Sequence, residues 1–313
     1  MNQIAFIIPY FGKWPEWMDL YLYSCSRQKN IDFIFYTDCG IPDKIYSNTI
    51  FHQITFDSYC HNVSVKLSID FNPKAAYKLC DLKVFYGIIH EDELRPYKWW
   101  GFGDIDLVYG DLSLLLSKHN LKQYDLLTTH VDRIAGHFTV IRKESKYTKL
   151  CLEIPNWKQL LCDEANHGID ENAFTRKAMS FKYKLIGRLY YHVIRRITSP
   201  DCKHYWFSLL EKSLRLLPSR IFMREYFTTF KPAVGQFCTY NPKTNELYCP
   251  DNQINKIITG GGKIYIHFLF FKKTRYYSTD NYWKYGFYQI PNGYDFSKGG
   301  VVEISTEGMR LSK

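Results

Sequence analysis

Two aspartates separated by one apolar residue, Asp104 and Asp106, are the residues of this sequence best suited to chemistry. They lie in the segment WWGFGDIDLVYGD, directly after an aromatic run. In an extended chain neighbouring side chains alternate between two faces, so both carboxylates point the same way while Ile105 points into the core. Carboxylate pairs are ligands of hard divalent ions such as Mg²⁺ and Mn²⁺, which also bind phosphate oxygens. The pair therefore predicts a metal site for a ligand that carries a diphosphate.

The elements that must position this pair alternate between apolar strands and amphipathic helices. The predicted strands are residues 3–9, 32–37, 50–56, 99–105, 124–129 and 138–141, and the predicted helices are residues 19–26 and 75–89. Such alternation is typical of an α/β fold with a mostly parallel central sheet. Ligands of these sheets bind beyond the carboxyl ends of the strands. Residues 9–12, Asp38 and the aspartate pair all lie at such ends, so the sequence predicts one shared crevice.

The composition indicates an anionic partner. The chain has 313 residues, a net charge of +10 and a pI near 9.0, which suits a nucleotide diphosphate, a nucleic acid or an acidic membrane surface. The nine cysteines are irregularly spaced without a CxxC pair, so we expect reduced thiols. The first residues do not read as a signal peptide, and no apolar run reaches the roughly 20 residues that cross a bilayer. We expect a cytoplasmic protein, and contact with the inner face of the membrane stays an open alternative.

The chain beyond residue 175 has a different character. We divide the sequence into a core at residues 1–175, a basic helical region at residues 176–235 and a C-terminal part at residues 236–313. The stretch KYKLIGRLYYHVIRRI is cationic and amphipathic, which fits either contact with anionic lipids or an ordinary surface helix. Residues 237–250 predict a hairpin. Residues 263–271 predict a strand that carries His267 and precedes Lys272 and Lys273.

Several of these segments together resemble a known enzyme family. The segments are IIPYFG, KLCDLKVFYGIIHEDEL followed by WWGFGDIDLVYGDL, GHFTVIRK and IYIHFLFFKK. They resemble bacterial, polysaccharide-associated nucleotide-sugar glycosyltransferases of the A-type fold, over most of residues 1–175 and the strand around His267. The resemblance implies a single Rossmann-like domain that transfers a sugar from a nucleotide-diphosphate donor to a saccharide or lipid-linked saccharide in cell-surface polysaccharide synthesis. It also implies a bound Mn²⁺ or Mg²⁺ and no nucleic-acid partner.

The resemblance further implies roles for individual residues. Asp104 and Asp106 match the metal-binding DxD motif, and His267 matches a late histidine that completes the coordination. The positions implied for the donor nucleotide sugar, including two that let backbone approach the sugar, are Pro9, Tyr10, Gly12, Asp38, Lys83, Gly136 and His137.

A glycosyltransferase also needs a carboxylate that deprotonates the acceptor or stabilises an oxocarbenium-like transition state. The segment LLCDEANHGIDENAF offers two acidic pairs. The apolar lead-in LLC predicts that Asp163 and Glu164 are tucked against the core, where burial would raise a carboxylate pKa. Asp170 and Glu171 suit a solvated first turn of a helix. We therefore expect the catalytic carboxylate at Asp163 or Glu164.

Other functions remain open at this level. The positive charge and many aromatic side chains also fit a nucleic-acid-binding protein, although no binding module is recognisable and acidic clusters at strand ends would repel phosphate without a metal. A nucleotidyltransferase or phosphotransferase would use the same carboxylate pair. A non-catalytic relative of the glycosyltransferases would keep the fold without the activity.

Overall fold

A computed structural model describes most of the chain. The described residues are 3–179, 220–226, 228–229, 235–249, 263–269, 271, 274–278 and 283–312, with the isolated residues 185, 196, 202, 206 and 209. The cationic stretch at residues 182–197, Lys272 and Lys273 thus fall almost entirely outside the described part, and so does most of the basic region.

A seven-stranded mixed sheet in the order β3-β2-β1-β4-β7-β6-β8 forms the centre of the fold. Its strands are β1 (Ile4–Pro9), β2 (Ile31–Thr37), β3 (Thr49–Gln53), β4 (Trp99–Gly103), β6 (Leu126–Thr128), β7 (Phe138–Arg142) and β8 (Ile221–Met223). All strands are parallel except β7, which runs opposite to both of its neighbours. The predicted α/β class with a mostly parallel sheet is confirmed. The nearly continuous burial of β1, β2 and β4 explains why they read as unbroken apolar runs.

Two apolar clusters cover the two faces of this sheet. Along β1, Ile4, Phe6 and Ile8 join one cluster, whereas Ala5 and Ile7 join the other, as the alternation of a strand requires. The helices that supply these layers and the loops are α1 (Met18–Ser26), α2 (Phe56–Leu67), α3 (Tyr86–Ile89), α4 (Lys118–Gln123), α5 (Trp157–Cys162) and α6 (Thr175–Ala178). The predicted helix at residues 75–89 is mainly a 3-10 helix, Ala76–Phe85, that continues into α3.

Two smaller sheets complete the described structure. The short strands β5 (Leu107–Tyr109) and β11 (Tyr265–His267) pair antiparallel. A four-stranded sheet contains β9 (Phe237–Asn241), β10 (Glu246–Tyr248), β12 (Val302–Ser305) and β13 (Gly308–Leu311). Side chains from this sheet share a core cluster with β1 and α1. Within the described residues, no helix has both the length and the apolar character needed to cross a membrane.

The β9–β10 hairpin confirms the strand-turn-strand prediction and corrects the prediction for the cysteines. Its antiparallel register sets Tyr248 opposite Thr239, which brings Cys249 next to Cys238. These two cysteines form a disulfide, and the other seven are free thiols. The expectation that all nine thiols are reduced is therefore wrong, because irregular spacing along the sequence says nothing about pairing across a hairpin.

Candidate metal and substrate site

The parallel strands end at one edge of the central sheet, and most of the predicted site residues, but not Asp163 and Glu164, gather there. β4 stops at Gly103, so the two aspartates follow the strand rather than belonging to it. Ile105 is buried as expected, and its carbonyl accepts a 2.9 Å hydrogen bond from the buried Trp17 indole. This bond fixes the backbone between Asp104 and Asp106.

His267 reaches the aspartate pair through the β5–β11 pairing. The register sets His267 opposite Leu107, the residue after Asp106. His267 Nε2 lies 3.5 Å from Asp106 Oδ1, and ligand atoms of Asp104, Asp106 and His267 all lie within 4.8 Å of one another. Two carboxylate oxygens and one imidazole nitrogen at this spacing could hold a divalent metal ion with further positions left for water or a ligand oxygen.

The ring of His267 is oriented by its neighbours. Its Nδ1 lies 3.2 Å from Thr229 Oγ1, which leaves Nε2 directed at Asp106. The ring of His137 stacks on it with centroids 4.3 Å apart. Burial, together with the nearby His267 and His130, lowers the pKa of His137 well below its usual value, so His137 packs as a neutral ring. A hydrogen bond on the second nitrogen and a fixed ring plane are typical of metal-binding histidines.

Lys83 provides the cation of this site. The 3-10 helix carries its buried side chain to the end of β4, where Nζ forms an ion pair with Asp104 and donates a 2.9 Å hydrogen bond to the carbonyl of Gly136. Burial by itself would lower the pKa of Lys83, but the charge of Asp104, supported by Cys80 and Asp170, raises it well above its usual value. Lys83 therefore carries a full positive charge beside the carboxylates.

Asp170 is a buried carboxyl group beside this lysine. It begins a single π-helical turn, Asp170–Phe174, and is 5% exposed. Its Oδ2 lies so close to Gly136 that a Cβ at that position would be 2.4 Å away. Burial raises the pKa of Asp170 to about 6, helped by the charges of Glu171 and Asp104 and opposed by Lys83. Glycine at position 136 thus allows a carboxyl group with a raised pKa to reach this crevice.

Asp163 and Glu164 lie in a different setting from the one expected. The Asp163 side chain is 41% exposed and pairs with Lys78 and His167, and the hydrogen bond from His167 lowers its pKa. The Glu164 side chain is 56% exposed, 3.9 Å from Lys74. The expected order of burial is therefore wrong: α5 ends at Cys162 and releases the first pair to solvent, whereas Asp170 is buried.

The buried ion pair of Lys78 and Asp81 holds the loop that follows α5 against the core. Asp81 is fully buried, lies 3.0 Å from Lys78 Nζ, and accepts hydrogen bonds from the backbone N–H groups of His167 and Ile169. Lys78 also donates to the carbonyl of Leu160. These contacts anchor the loop immediately before Asp170.

The residues expected near the nucleoside lie at the ends of β1 and β2. Asp38 Oδ1 accepts a 2.7 Å hydrogen bond from the N–H of Gly12, which ties the two loops together. The Tyr10 ring stacks on Trp14 with centroids 5.3 Å apart. Burial, with Cys39 and Asp106 nearby, raises the pKa of Tyr10 to about 12. Pro9 is the last residue of β1, so this group adjoins the metal cluster at the same edge of the sheet.

Sequence reasoning missed two residues that shape the site, Trp17 and Thr229, and misjudged the burial of a third, Asp170. Trp17 and Thr229 hold the metal cluster from outside it, and their side chains carry no motif that would mark them. Asp170 was visible in the sequence as an acidic residue soon after Gly168, but its burial depends on the distant Asp81, which holds the backbone of His167 and Ile169.

Comparisons with solved structures return glycosyltransferases at low similarity. Mouse xyloside xylosyltransferase 1 matches at 12% identity with a TM-score of 0.35, covering 58% of this chain and 83% of that one. A glycosyltransferase involved in glycosylation of the major capsid of PBCV-1 matches at 11% identity with a TM-score of 0.29, over 72% and 84% of the two chains. The galactosyltransferase LgtC matches at 11% identity with a TM-score of 0.30, over 55% and 71%. None of the curated proteins matches the sequence.

Residues 6–275 match a family of unknown function, DUF6625. The match spans most of the chain, so this protein belongs to that family.

Proposed function

We propose that this member of the DUF6625 family is a metal-dependent glycosyltransferase that moves a sugar from a nucleotide-diphosphate donor to a hydroxyl acceptor. One observation carries the proposal. The cluster of Asp104, Asp106 and His267 stands at the carboxyl edge of a mostly parallel sheet, with the cation Lys83 and the buried acid Asp170 beside it. This transfer needs a metal site, a positive charge that stabilises the diphosphate, and a carboxyl group.

The metal is proposed to be Mn²⁺ or Mg²⁺, bound by Asp104, Asp106 and His267. When bound, the ion supplies positive charge for the diphosphate that leaves with the nucleotide. The protein contributes the orientation of the ligands, because Trp17 holds the carbonyl of Ile105 and Thr229 holds the imidazole.

The donor is proposed to lie along the ends of β1 and β2. The stacked pair of Tyr10 and Trp14 offers an aromatic surface for the nucleoside. Asp38 keeps one carboxylate oxygen for a ribose hydroxyl while the other accepts the N–H of Gly12. Lys83 stands where negative charge develops on the departing diphosphate, and an ammonium group preorganised there stabilises the transition state.

We place the reacting carboxyl group at Asp170 rather than at Asp163 or Glu164. Asp170 is buried and contacts the chain at Gly136, whose carbonyl accepts from Lys83. A carboxyl pKa near 6 suits proton transfer or charge stabilisation near neutral pH. Asp163 is already paired with Lys78 and His167, and its side chain is 41% exposed to solvent.

The acceptor is proposed to be a saccharide or lipid-linked saccharide of a cell-surface polysaccharide, such as a capsule, O-antigen or lipopolysaccharide. The basic stretch that would meet an anionic membrane lies outside the described residues, apart from single positions. This part of the proposal is supported by the sequence alone.

Ligand-dependent thermal stabilisation tests the binding half of the proposal. Nucleotide sugars with different bases are screened with Mn²⁺ and with a chelator. We expect at least one to raise the melting temperature only when the metal is present. Stabilisation by none of them, or equal stabilisation in chelator, would contradict the proposal.

A further inference from the structure

The buried ammonium of Lys83 and the proposed metal share a ligand. Lys83 Nζ forms an ion pair with Asp104, and Asp104 is also one of the three residues whose ligand atoms form the metal cluster. The side chain of Lys83 is only 10% exposed, so water screens its charge little. A divalent ion that binds Asp104 is therefore repelled by the fixed positive charge of Lys83 beside it.

We infer that Lys83 is an internal counter-cation that weakens metal binding to the empty protein and makes it depend on the diphosphate of the donor. Without nucleotide, the ammonium neutralises Asp104 and, at longer range, Asp170. A bound diphosphate adds negative charge near the ammonium and offsets the repulsion between the ammonium and the metal. Metal and nucleotide then tighten each other's binding, as reciprocal coupling between two sites requires.

The contacts of Lys83 support this coupling over a purely structural role. Lys78, another buried lysine of the same 3-10 helix, is bound by the carboxylates of Asp81 and Asp163 and by the carbonyls of Leu160 and Ala165. Lys83 instead bridges two segments that both belong to the site, Asp104 after β4 and Gly136 before β7. Both partners of Lys83 thus belong to the site where the proposed metal and donor would bind.

The inference predicts opposite changes in two affinities, both measured by titration calorimetry on the full chain. In Lys83→Met, Mn²⁺ alone is expected to bind about tenfold more tightly than in the wild type, because Asp104 has lost its competitor. A nucleoside diphosphate such as UDP or GDP, whichever the wild type binds with saturating Mn²⁺, is expected to bind about tenfold more weakly, because the ammonium is gone. This second arm rests on the proposed function, whereas the first does not.

Two further variants separate charge from folding. Lys83→Arg keeps the positive charge and is expected to stay close to wild type for Mn²⁺. Lys66→Met removes a lysine whose ion pair with Asp92 is exposed and is expected to change neither affinity. If Lys83→Met does not fold in chelator, Lys83→Gln is used, and its melting temperature is expected to rise more with Mn²⁺ than that of the wild type.

Unchanged or weaker Mn²⁺ binding in the neutral Lys83 variants would overturn the inference. Tighter Mn²⁺ binding without any nucleotide binding would support the counter-cation role while contradicting the glycosyltransferase proposal. The two conclusions therefore fail separately.

Discussion

His267 Nε2 lies 3.5 Å from Asp106 Oδ1, and the contact joins the late strand β11 to the segment that follows β4. The candidate metal site is therefore built from two distant parts of the chain. Its integrity depends on the pairing of β5 with β11 as much as on the aspartates themselves.

The first prediction concerns His267 and the residue that orients it. His267→Ala removes one of three ligands and is expected to lower Mn²⁺ affinity by about 100-fold, whereas Thr229→Val removes only the hydrogen bond to Nδ1 and is expected to lower it by about tenfold. Titration calorimetry with Mn²⁺ measures both. Affinity that is indifferent to His267 would remove this histidine from the proposed ligand set.

The second prediction concerns which carboxyl group takes part in sugar transfer. Asp170→Asn is expected to reduce sugar transfer by about two orders of magnitude, the usual scale for losing an acid or base, while leaving nucleotide affinity close to wild type. Asp163→Asn and Glu164→Gln are matched controls from the same loop and are expected to retain most of the transfer rate. Steady-state kinetics and nucleotide titration make the comparison. A dead Asp163 or Glu164 variant beside an active Asp170 variant would return the role to the first pair.

The third prediction follows from the pKa of Asp170, about 6 in the folded chain against 3.8 for an unperturbed group. A raised carboxyl pKa means that the folded chain holds this proton more tightly, so stability falls as pH rises through this window. The free energy of unfolding of Asp170→Asn, relative to wild type, is expected to rise by about 2 kcal/mol from about pH 4.5 to about pH 7.5. Urea unfolding in chelator measures it. Parallel pH profiles for the two proteins would show that Asp170 does not titrate in this range.

The fourth prediction tests the contact between Gly136 and Asp170. Gly136 has no positive φ, so the cost of an alanine there comes from the Cβ that would lie 2.4 Å from Asp170 Oδ2. Gly136→Ala is expected to destabilise the fold by about 2 kcal/mol, and by about 1 kcal/mol less in an Asp170→Ala background. A double-mutant cycle of unfolding free energies gives the coupling. Equal destabilisation in both backgrounds would mean that the two residues do not meet.

The sequence predicted the parts of this site that local patterns control. The apolar runs of β1, β2 and β4 mark the strands. Because the ends of parallel strands meet at one edge of a sheet, Asp38 lies at the same edge as Asp104 and Asp106. A strand that is buried on both faces is apolar along nearly its whole length, so these strands are easily recognised in the sequence.

The position of His267 and the burial of Asp170 depend on long-range contacts, which sequence patterns do not reveal. His267 was identified as a metal ligand only through the family resemblance, because no local sequence pattern indicates that β11 pairs with β5. The burial of Asp170 depends on Asp81, which captures the backbone of His167 and Ile169 from another segment. The apolar lead-in to Asp163 was misleading because Leu161 is buried while α5 ends directly before the acid.

Turnover of nucleotide sugars by the wild type and by Asp106→Asn tests the proposed function most directly. Each nucleotide sugar is incubated with the full chain in Mn²⁺ or in chelator, and release of the nucleoside diphosphate is measured. We expect the wild type to release the diphosphate from at least one donor only with Mn²⁺, and Asp106→Asn to lose at least about 100-fold of that rate while remaining folded. Release from no donor, or release that is the same in Asp106→Asn and in chelator, would contradict a metal-dependent glycosyltransferase.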